Sequence, residues 1–298
     1  MKSYSQIAGE IGEFSDLPFW KKADPIDLAY VGYGLLIVTL VVMSYFLGSF
    51  HLLPYNPDDI DLELMMAGPG TPGHILGTDF MGRDMLSRLI VGIQAYFLPG
   101  LLAVFIALFF GTVLGVLSGY PAKTGFDTGI TYFTNLVDSF PRLVLILLVI
   151  AAFKPDIWYI MLVVGITNVP VVASHIKGKI QFLKQKNFIE ADMALGLPTR
   201  TIILKHILWH NCRSLLIIQA TLGMAEAILM ETSLSYLGFG VQEPTPSWGN
   251  MVQAGANYFM QGKFWPSTAP ALAILFTILG FHLLGDGLNN ILEEKKGK

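Results

Sequence analysis

The sequence has a single cysteine, Cys212, and few charged residues. One cysteine excludes a disulfide within the chain and leaves the redox compartment undetermined. Charged residues make up only 14% of the 298 residues, whereas hydrophobic residues make up 53%. The mean hydropathy of +0.56 is too high for an ordinary soluble domain. These proportions predict an integral membrane protein, and the net charge of -3 gives no reason to expect binding to nucleic acid.

Several functional patterns are also missing. No Gly-x4-Gly-Lys-Ser/Thr loop occurs, so the chain is not expected to bind ATP itself. No nucleophile–base constellation indicates a membrane-embedded enzyme, so no catalytic residue and no cofactor are expected. His206 and His210 lie one helical turn apart, but no carboxylate or cysteine nearby in sequence completes a metal-ligand arrangement, so no metal site is predicted. The N-terminal segment lacks the short apolar region of a signal peptide, and we expect no cleavage there.

Six apolar runs are long enough to span a bilayer, whose hydrocarbon core of about 30 Å needs roughly 20 helical residues. We predict transmembrane helices at 29–50, 96–118, 130–153, 157–174, 215–239 and 267–288. They divide the chain into an N-terminal tail (1–28), a first helix (29–50), a loop (51–93) and a five-helix core (94–298). The core includes a polar loop at 175–213.

Three of the runs contain polar residues. The third holds Asp138 near Pro141, the fourth holds Asn168, and the fifth holds Glu226 and Glu231. Polar groups at membrane depth normally face the interior of a bundle or a wet cavity. We therefore expect Asp138, Asn168 and Glu226 to approach a transport pathway.

The intramembrane carboxylates Asp138, Glu226 and Glu231 leave one alternative open. Such groups can relay protons in a secondary transporter driven by an ion gradient. The sequence shows no obvious inverted repeat, and its large polar loop does not favour that alternative.

The distribution of Lys and Arg predicts the orientation of the chain. Fourteen of the nineteen fall on one side of the predicted spans, and such residues concentrate in the cytoplasm. They are Lys2, Lys21, Lys22, Lys123, Lys177, Lys179, Lys184, Lys186, Arg200, Lys205, Arg213, Lys295, Lys296 and Lys298. Both termini and the loop 175–213 are therefore predicted to be cytoplasmic, with the loop 51–93 outside.

Glycines recur at every fourth position of the second run, at Gly111, Gly115 and Gly119. In a helix this spacing places three missing side chains on one face, which lets another helix approach closely.

The polar stretch 190–211 interrupts the apolar runs. Helical spacing of apolar residues predicts an amphipathic helix at 181–195. Gly196 can end it in a left-handed conformation, and Pro198 can open a second short helix at 199–209. From the pattern alone, this pair could lie flat on the bilayer or insert into a groove of a soluble partner.

The stretch EADMALG at 190–196 resembles the EAA loop of permease subunits of ATP-binding-cassette (ABC) importers. Glu190, Ala191 and Gly196 match its spacing, whereas Asp192 stands where the family usually has Ala, and Trp209 where an Ile-Leu ending usually precedes Pro. The resemblance implies a coupling helix that inserts into a cleft of an ATPase subunit. The contact residues implied are Glu190, Ala191, Asp192, Gly196, Leu197, Thr199, Arg200 and Lys205.

Three further segments, at 74–92, 231–251 and 283–293, resemble permeases of dipeptide, oligopeptide and nickel importers. Their sequences are HILGTDFMGRDMLSRLIVG, ETSLSYLGFGVQEPTPSWGNM and LLGDGLNNILE. Together they cover the chain from about residue 74 onward in the family's order. Within the family the chain resembles the shorter, C-type subunit. Relatives usually carry Arg and Asp where this chain has Tyr132 and Asn135, so an ion pair common in the family is expected to be absent.

The resemblance implies an all-α protein with the type I ABC-importer permease fold. It also implies half of a translocation pathway in the inner (cytoplasmic) membrane. The implied partners are a second permease, two ATPases that bind ATP and Mg, and an external binding protein. Peptides are the expected cargo, with nickel or sugars as alternatives, and the permease itself is not an enzyme.

Overall fold

The computed structural model describes residues 24–120, 124–153 and 156–294. Most of this part of the chain is helical, and its only β pairing is two isolated bridges. The longer helices are α1 (Pro25–Ser49), α2 (Met85–Gly92), α3 (Phe97–Gly119), α4 (Gly125–Asp138), α5 (Arg142–Phe153), α6 (Ile157–Leu183), α7 (Asn187–Ala194), α8 (Thr199–Tyr236), α9 (Trp248–Ala256) and α10 (Trp265–Glu294). Residues 1–23 of the predicted N-terminal tail lie outside the described residues, as do Lys123, Lys154 and the C-terminal lysines.

Five helical segments of the described chain are long and apolar enough to cross a membrane: α1, the segment from α2 through α3, α6, α8 and α10. A sixth is formed by α4 and α5 if this bent pair is one span. The prediction of an all-α protein is confirmed, and its six spans are confirmed when α4 and α5 are counted as one span. The third span is broken rather than a single helix, since α4 and α5 meet at 74°. Pro141 causes the break, because proline lacks an N–H group and disfavours the helical conformation of the residue before it.

The ends of the spans differ from those predicted. α1 begins at Pro25, four residues before the predicted start, because the Asp24 side chain accepts a hydrogen bond from the backbone N–H of Ile26 at 3.0 Å. A proline at the first helical position also favours this start. The predicted loop 51–93 contains the regular helix α2. α6 continues to Leu183, nine residues past its predicted end.

The second helix of the polar loop is not separate. The chain turns into a helix at Thr199, widens into a π-helix at Ile202–Cys212 and continues as the α-helix Arg213–Tyr236. The predicted boundary between a short helix at 199–209 and a span at 215–239 is therefore wrong. No Pro or Gly lies between Pro198 and Gly223, so nothing in the sequence stops the helix there.

α3 and α6 form the most closely packed helix pair. A methyl group built at Gly111 would lie 2.5 Å from Cβ of Val172, and one at Gly115 would lie 2.7 Å from Cβ of Ile176. The glycine stripe predicted from the sequence therefore faces α6 of the same chain. α8 packs beside this pair and also contacts α9 and α10, while α1 lies along α10. α7 lies at one end of the bundle and α9 at the other, which we call the α7 end and the α9 end.

Replacing Gly115 by Val is expected to destabilise the fold by about 1–3 kcal/mol, because the added side chain forces α3 away from α6. Thermal unfolding of the protein in detergent measures the loss. Gly178→Ala in α6 is the matched control, since nothing lies within 4 Å of its missing Cβ. It should leave stability unchanged or raise it by up to about 1 kcal/mol, and equal losses in the two variants would contradict the packing argument.

Candidate functional site

α7 is fixed to the bundle by one buried side chain. Ile189 is fully buried, in a cluster with Ile180 and Leu183 of α6 and with Ile202 and Ile207 of α8. The other face of α7 is open. Leu195 directly after the helix is 80% exposed. The exposed residues of α7 itself are Asn187, Phe188, Glu190, Ala191, Met193 and Ala194.

The helix starts later than the amphipathic pattern predicts. α6 ends at Leu183, Lys186 is extended, and α7 begins at Asn187 rather than at residue 181. Phe182 therefore belongs to α6. Of the apolar residues in that pattern, Leu183 of α6 and Ile189 of α7 share one buried cluster, whereas Phe182 and Met193 are exposed.

α7 ends as the sequence predicts. Gly196 is left-handed, with φ of 75°. Its backbone N–H donates to the carbonyl of Met193 at 3.0 Å, and the N–H of Leu197 donates to the carbonyl of Asp192 at 3.1 Å. This pair of bonds is the Schellman motif. Pro198 is extended, and the next helix starts at Thr199.

Asp192 and His206 form a link that sequence reasoning missed. Nδ1 of His206 lies 2.5 Å from Oδ2 of Asp192, which joins α7 to the π-helix of α8. His210 bonds instead to the carbonyl of Lys205, at 2.5 Å from Nδ1. Asp192, the position that departs from the EAA pattern, thus holds α7 against α8. Among the described residues, no group of three or more His, Cys, Asp and Glu side chains could hold a metal ion.

The remaining coupling candidates lie around the same end. Thr199, Arg200 and Lys205 are exposed, whereas Leu197 is partly buried against the Ile189 cluster. Trp209, the other departure from the family pattern, is 71% exposed. We call the exposed residues Glu190, Ala191, Met193, Leu195, Arg200 and Lys205 the α7 surface.

Two of the three predicted pathway residues meet deeper in the bundle. Arg142 at the start of α5 forms an ion pair with Glu226 of α8 through Nη1, and its Nη2 donates to Oδ1 of Asn168 at 3.1 Å. Asn168 and Glu226 line a cavity of about 190 Å³ between α3, α6 and α8. Arg142 was not among the predicted pathway residues, although an arginine within an apolar run is a signal for a functional role.

Asp138 lies beside this cluster, and the charge of its carboxylate acts on Arg142. Asp138 is exposed and lines a second cavity of about 520 Å³, together with Asn135, His175 and Lys177. The two cavities share Val171 and His175 as lining residues. The three predicted pathway residues therefore line neighbouring cavities rather than one site.

A different ion pair accompanies Tyr132 and Asn135. Nζ of Lys177 lies 2.6 Å from Oδ1 of Asp127 and 2.8 Å from Oγ1 of Thr131, which ties α4 to α6. Tyr132 is 74% exposed and Asn135 lines the larger cavity.

A buried charge cluster closes the α9 end. Arg88 of α2 is 1% exposed, and its Nη2 lies 3.1 Å from both carboxylate oxygens of Glu243. Arg83 bonds through Nε to Asp79 at 2.7 Å and through Nη1 to Glu243 at 2.8 Å. Burial lowers the pKa of Arg83, but the hydrogen bond to Glu243 and the charge of Asp79 outweigh it, so the pKa is raised. The cluster joins the segments before α2 and before α9.

Two further residues of the segment 231–251 are packed inward. Trp248 is 3% exposed, and its Nε1 donates to the carbonyl of Leu89 at 2.9 Å. Glu231 is fully buried in α8, where its Oε1 accepts from Ser235 at 2.6 Å.

Comparison with known proteins identifies the family. Residues 111–298 match the family described as binding-protein-dependent transport system inner membrane component. A probable D,D-dipeptide transport system permease of Escherichia coli K12 is 36% identical over 264 residues, covering 89% of this chain and 87% of that protein. The oligopeptide transport system permease of Haemophilus influenzae is 34% identical over 262 residues, covering 87% and 83%.

A glutathione transport system permease of Escherichia coli O6:K15:H31 is 34% identical over 279 residues, covering 93% of this chain and 89% of that protein. Proteins of this family are non-catalytic membrane components that work with an ATPase and a binding protein. The secondary-transporter alternative is not favoured. The chain therefore belongs to the family of permease subunits of ABC importers.

Proposed function

We propose that this permease forms half of the translocation pathway of a peptide importer, together with a second, related permease. Two ATPases power the pair, one of them bound at the α7 surface of this chain, and an external protein delivers the peptide to the α9 end. The names of the relatives support the cargo, because they are called transport systems for D,D-dipeptides, oligopeptides and glutathione. Nickel and sugars are the competing cargoes.

The observation that carries the proposal is the construction of α7. Ile189 and the Asp192–His206 bond hold this helix rigidly on α6 and α8, while its outer face exposes apolar and charged groups. α8 carries Glu226 within the membrane and is continuous with the π-helix beside α7. Movement of an ATPase against α7 would therefore be passed directly to a helix that lines the pathway.

The orientation is part of the proposal. Among the described residues, Lys and Arg concentrate at the α7 end, which supports a cytoplasmic location for α7 and for both termini in the inner membrane. They are Lys177, Lys179, Lys184, Lys186, Arg200, Lys205 and Arg213. Labelling tests the orientation. A thiol introduced by Leu195→Cys should react with a charged maleimide only from the cytoplasmic side, since Cys212 is buried.

Reconstitution tests the function. Proteoliposomes that contain both permeases and both ATPases should take up labelled peptide only when ATP and the binding protein are supplied. Uptake driven by an ion gradient without the ATPases would overturn the proposal. Uptake of nickel or sugar in place of peptide would overturn only the cargo.

Glu190→Lys is expected to abolish ATP-coupled uptake while the complex still inserts in the membrane. The exposed carboxylate becomes a cation, so a partner cation that pairs with it would face a like charge, and such a juxtaposition across an interface costs several kcal/mol. Glu190→Gln keeps the size of the side chain and should retain most of the uptake. Peptide-stimulated ATP hydrolysis measures both variants, and normal coupling in Glu190→Lys would remove Glu190 from the contact.

A further inference from the structure

The break between α4 and α5 places an arginine deep in the bundle. α4 has 14 residues and is therefore about 21 Å long at 1.5 Å per residue. The chain just before it lies at the α7 end, where Nζ of Lys184 donates to the carbonyl of Tyr120 at 2.7 Å. The hydrocarbon core is about 30 Å thick. Arg142, the first residue of α5, donates to Asn168 near the middle of the 27-residue span α6, so it lies well inside the membrane. Discontinuous helices at this depth are typical of substrate sites in transporters.

The arginine is bound by groups from two other helices, Glu226 of α8 and Asn168 of α6. The ion pair is only partly buried. The side chains of Arg142 and Glu226 remain 21% and 34% exposed, and Glu226 lines the cavity of about 190 Å³. Nε of Arg142 is buried without a hydrogen-bond partner. A charge pair that existed only to hold helices together would gain from being closed and fully hydrogen-bonded.

An open pair of opposite charges suits a solute that carries both charges. The carboxylate of the solute can bind to the guanidinium of Arg142, and its ammonium group can bind to the carboxylate of Glu226. Each bond of the resting pair is then replaced by a charge-assisted hydrogen bond, so neither side chain is left as an unpaired charge in the membrane. A solute with only one charge would leave one of the two side chains unpaired.

We propose that Arg142 and Glu226, with Asn168 orienting the guanidinium, form a subsite in the pathway that recognises zwitterionic solutes, such as peptides with free amino and carboxyl ends. The inference rests on the proposed transport of peptides. In the absence of solute the two side chains neutralise one another. The neighbouring cavity of about 520 Å³, which contains Asp138 and Lys177, continues from the subsite toward the α7 end. Its mixed charges offer a released zwitterion a wet, polar environment.

The test compares peptides with blocked ends. The complete importer is reconstituted with its binding protein and given Ala-Ala, N-acetyl-Ala-Ala or Ala-Ala-amide. Uptake by each variant is divided by wild-type uptake of the same peptide, so the preference of the binding protein cancels. Binding of the three peptides to the purified complex, measured by calorimetry without the binding protein, provides the comparison for any peptide that the binding protein rejects.

Arg142→Gln should lower transport of Ala-Ala and N-acetyl-Ala-Ala about ten-fold or more, and that of the amide by less than about two-fold. Glu226→Gln should show the opposite selectivity, with the N-acetylated peptide spared. The double variant removes both members of the ion pair, so neither Arg142 nor Glu226 is left without the other, and it separates recognition from folding. Uptake by the double variant, divided by wild-type uptake of the same peptide, should be lowest for Ala-Ala.

Two results would overturn the subsite. An equal fall in the uptake of all three peptides in each variant would show that the ion pair only holds α5 and α8 together. Unchanged transport in all variants would show that it has no role in the pathway. If instead the wild-type importer carries none of the peptides in an ATP-dependent way, the proposed function itself fails, and the subsite is overturned with it.

Discussion

Gly196→Pro is expected to abolish ATP-coupled transport while the permease still inserts in the membrane and assembles. Gly196 has φ of 75°, whereas proline is fixed near −65°. Proline would also remove the N–H group that bonds to the carbonyl of Met193. The turn would have to change at a cost of about 3 kcal/mol or more, which displaces α7 from α8. The measurement is peptide uptake by reconstituted importer, with thermal unfolding of the same preparation as the check on folding.

Gly196→Asn is the matched control for this turn. Asparagine tolerates the left-handed conformation, and nothing lies within 4 Å of the missing Cβ. This variant should transport at nearly the wild-type rate. Equal activity of the two variants would mean that the turn does not position α7 for coupling.

Arg88→Met is expected to lower the free energy of unfolding by about 1.5–3 kcal/mol, because it removes hydrogen bonds of a buried charged group. Methionine replaces a fully buried guanidinium that bonds to Glu243 and to the carbonyl of Pro57 at 3.1 Å. Arg83 then remains as the cation beside the carboxylates of Asp79 and Glu243. The bond from Arg88 that joins α2 to Glu243, in the segment before α9, is lost. The expected result is a lower thermal unfolding temperature and faster proteolysis at the α9 end.

Asp58→Asn tests whether burial decides the size of this effect. The Asp58 side chain is 51% exposed, and its Oδ1 lies 3.5 Å from Nη1 of Arg88. An exposed ion pair is worth about 0–1 kcal/mol, so this variant should unfold at nearly the wild-type temperature. If Arg88→Met were equally mild, the cluster would not stabilise the α9 end.

Local chemistry was enough to predict several features of the candidate site. The left-handed Gly196 and the start at Thr199 depend on the conformational limits of glycine and proline, which act within a few residues. The close approach at Gly115 follows from helical spacing, which the sequence displays directly. The helix boundaries were less predictable. α6 passes its predicted end and α8 starts before its predicted start, because hydropathy marks the part of a helix in lipid and not where the helix stops.

The pairings could not be predicted because they join distant parts of the chain. Arg88 and Glu243 are 155 residues apart, and Arg142 and Asn168 are 26 apart. Asp192 appeared in the sequence only as a departure from the family pattern, and His206 only as one of two histidines. Nothing in the local pattern of either residue indicates the other.

By itself, the sequence determined that the chain crosses a membrane, which runs cross it, where the polar loop bends, and which family the chain resembles. These properties depend on apolar length, residue spacing and the conformational limits of single residues, all of which act over short distances. Only the tertiary structure decided that α7 is held by Ile189 and His206, that Arg142 meets Glu226, and that α8 joins the coupling loop to the pathway. Those contacts form only when separate helices pack, so no local pattern could contain them.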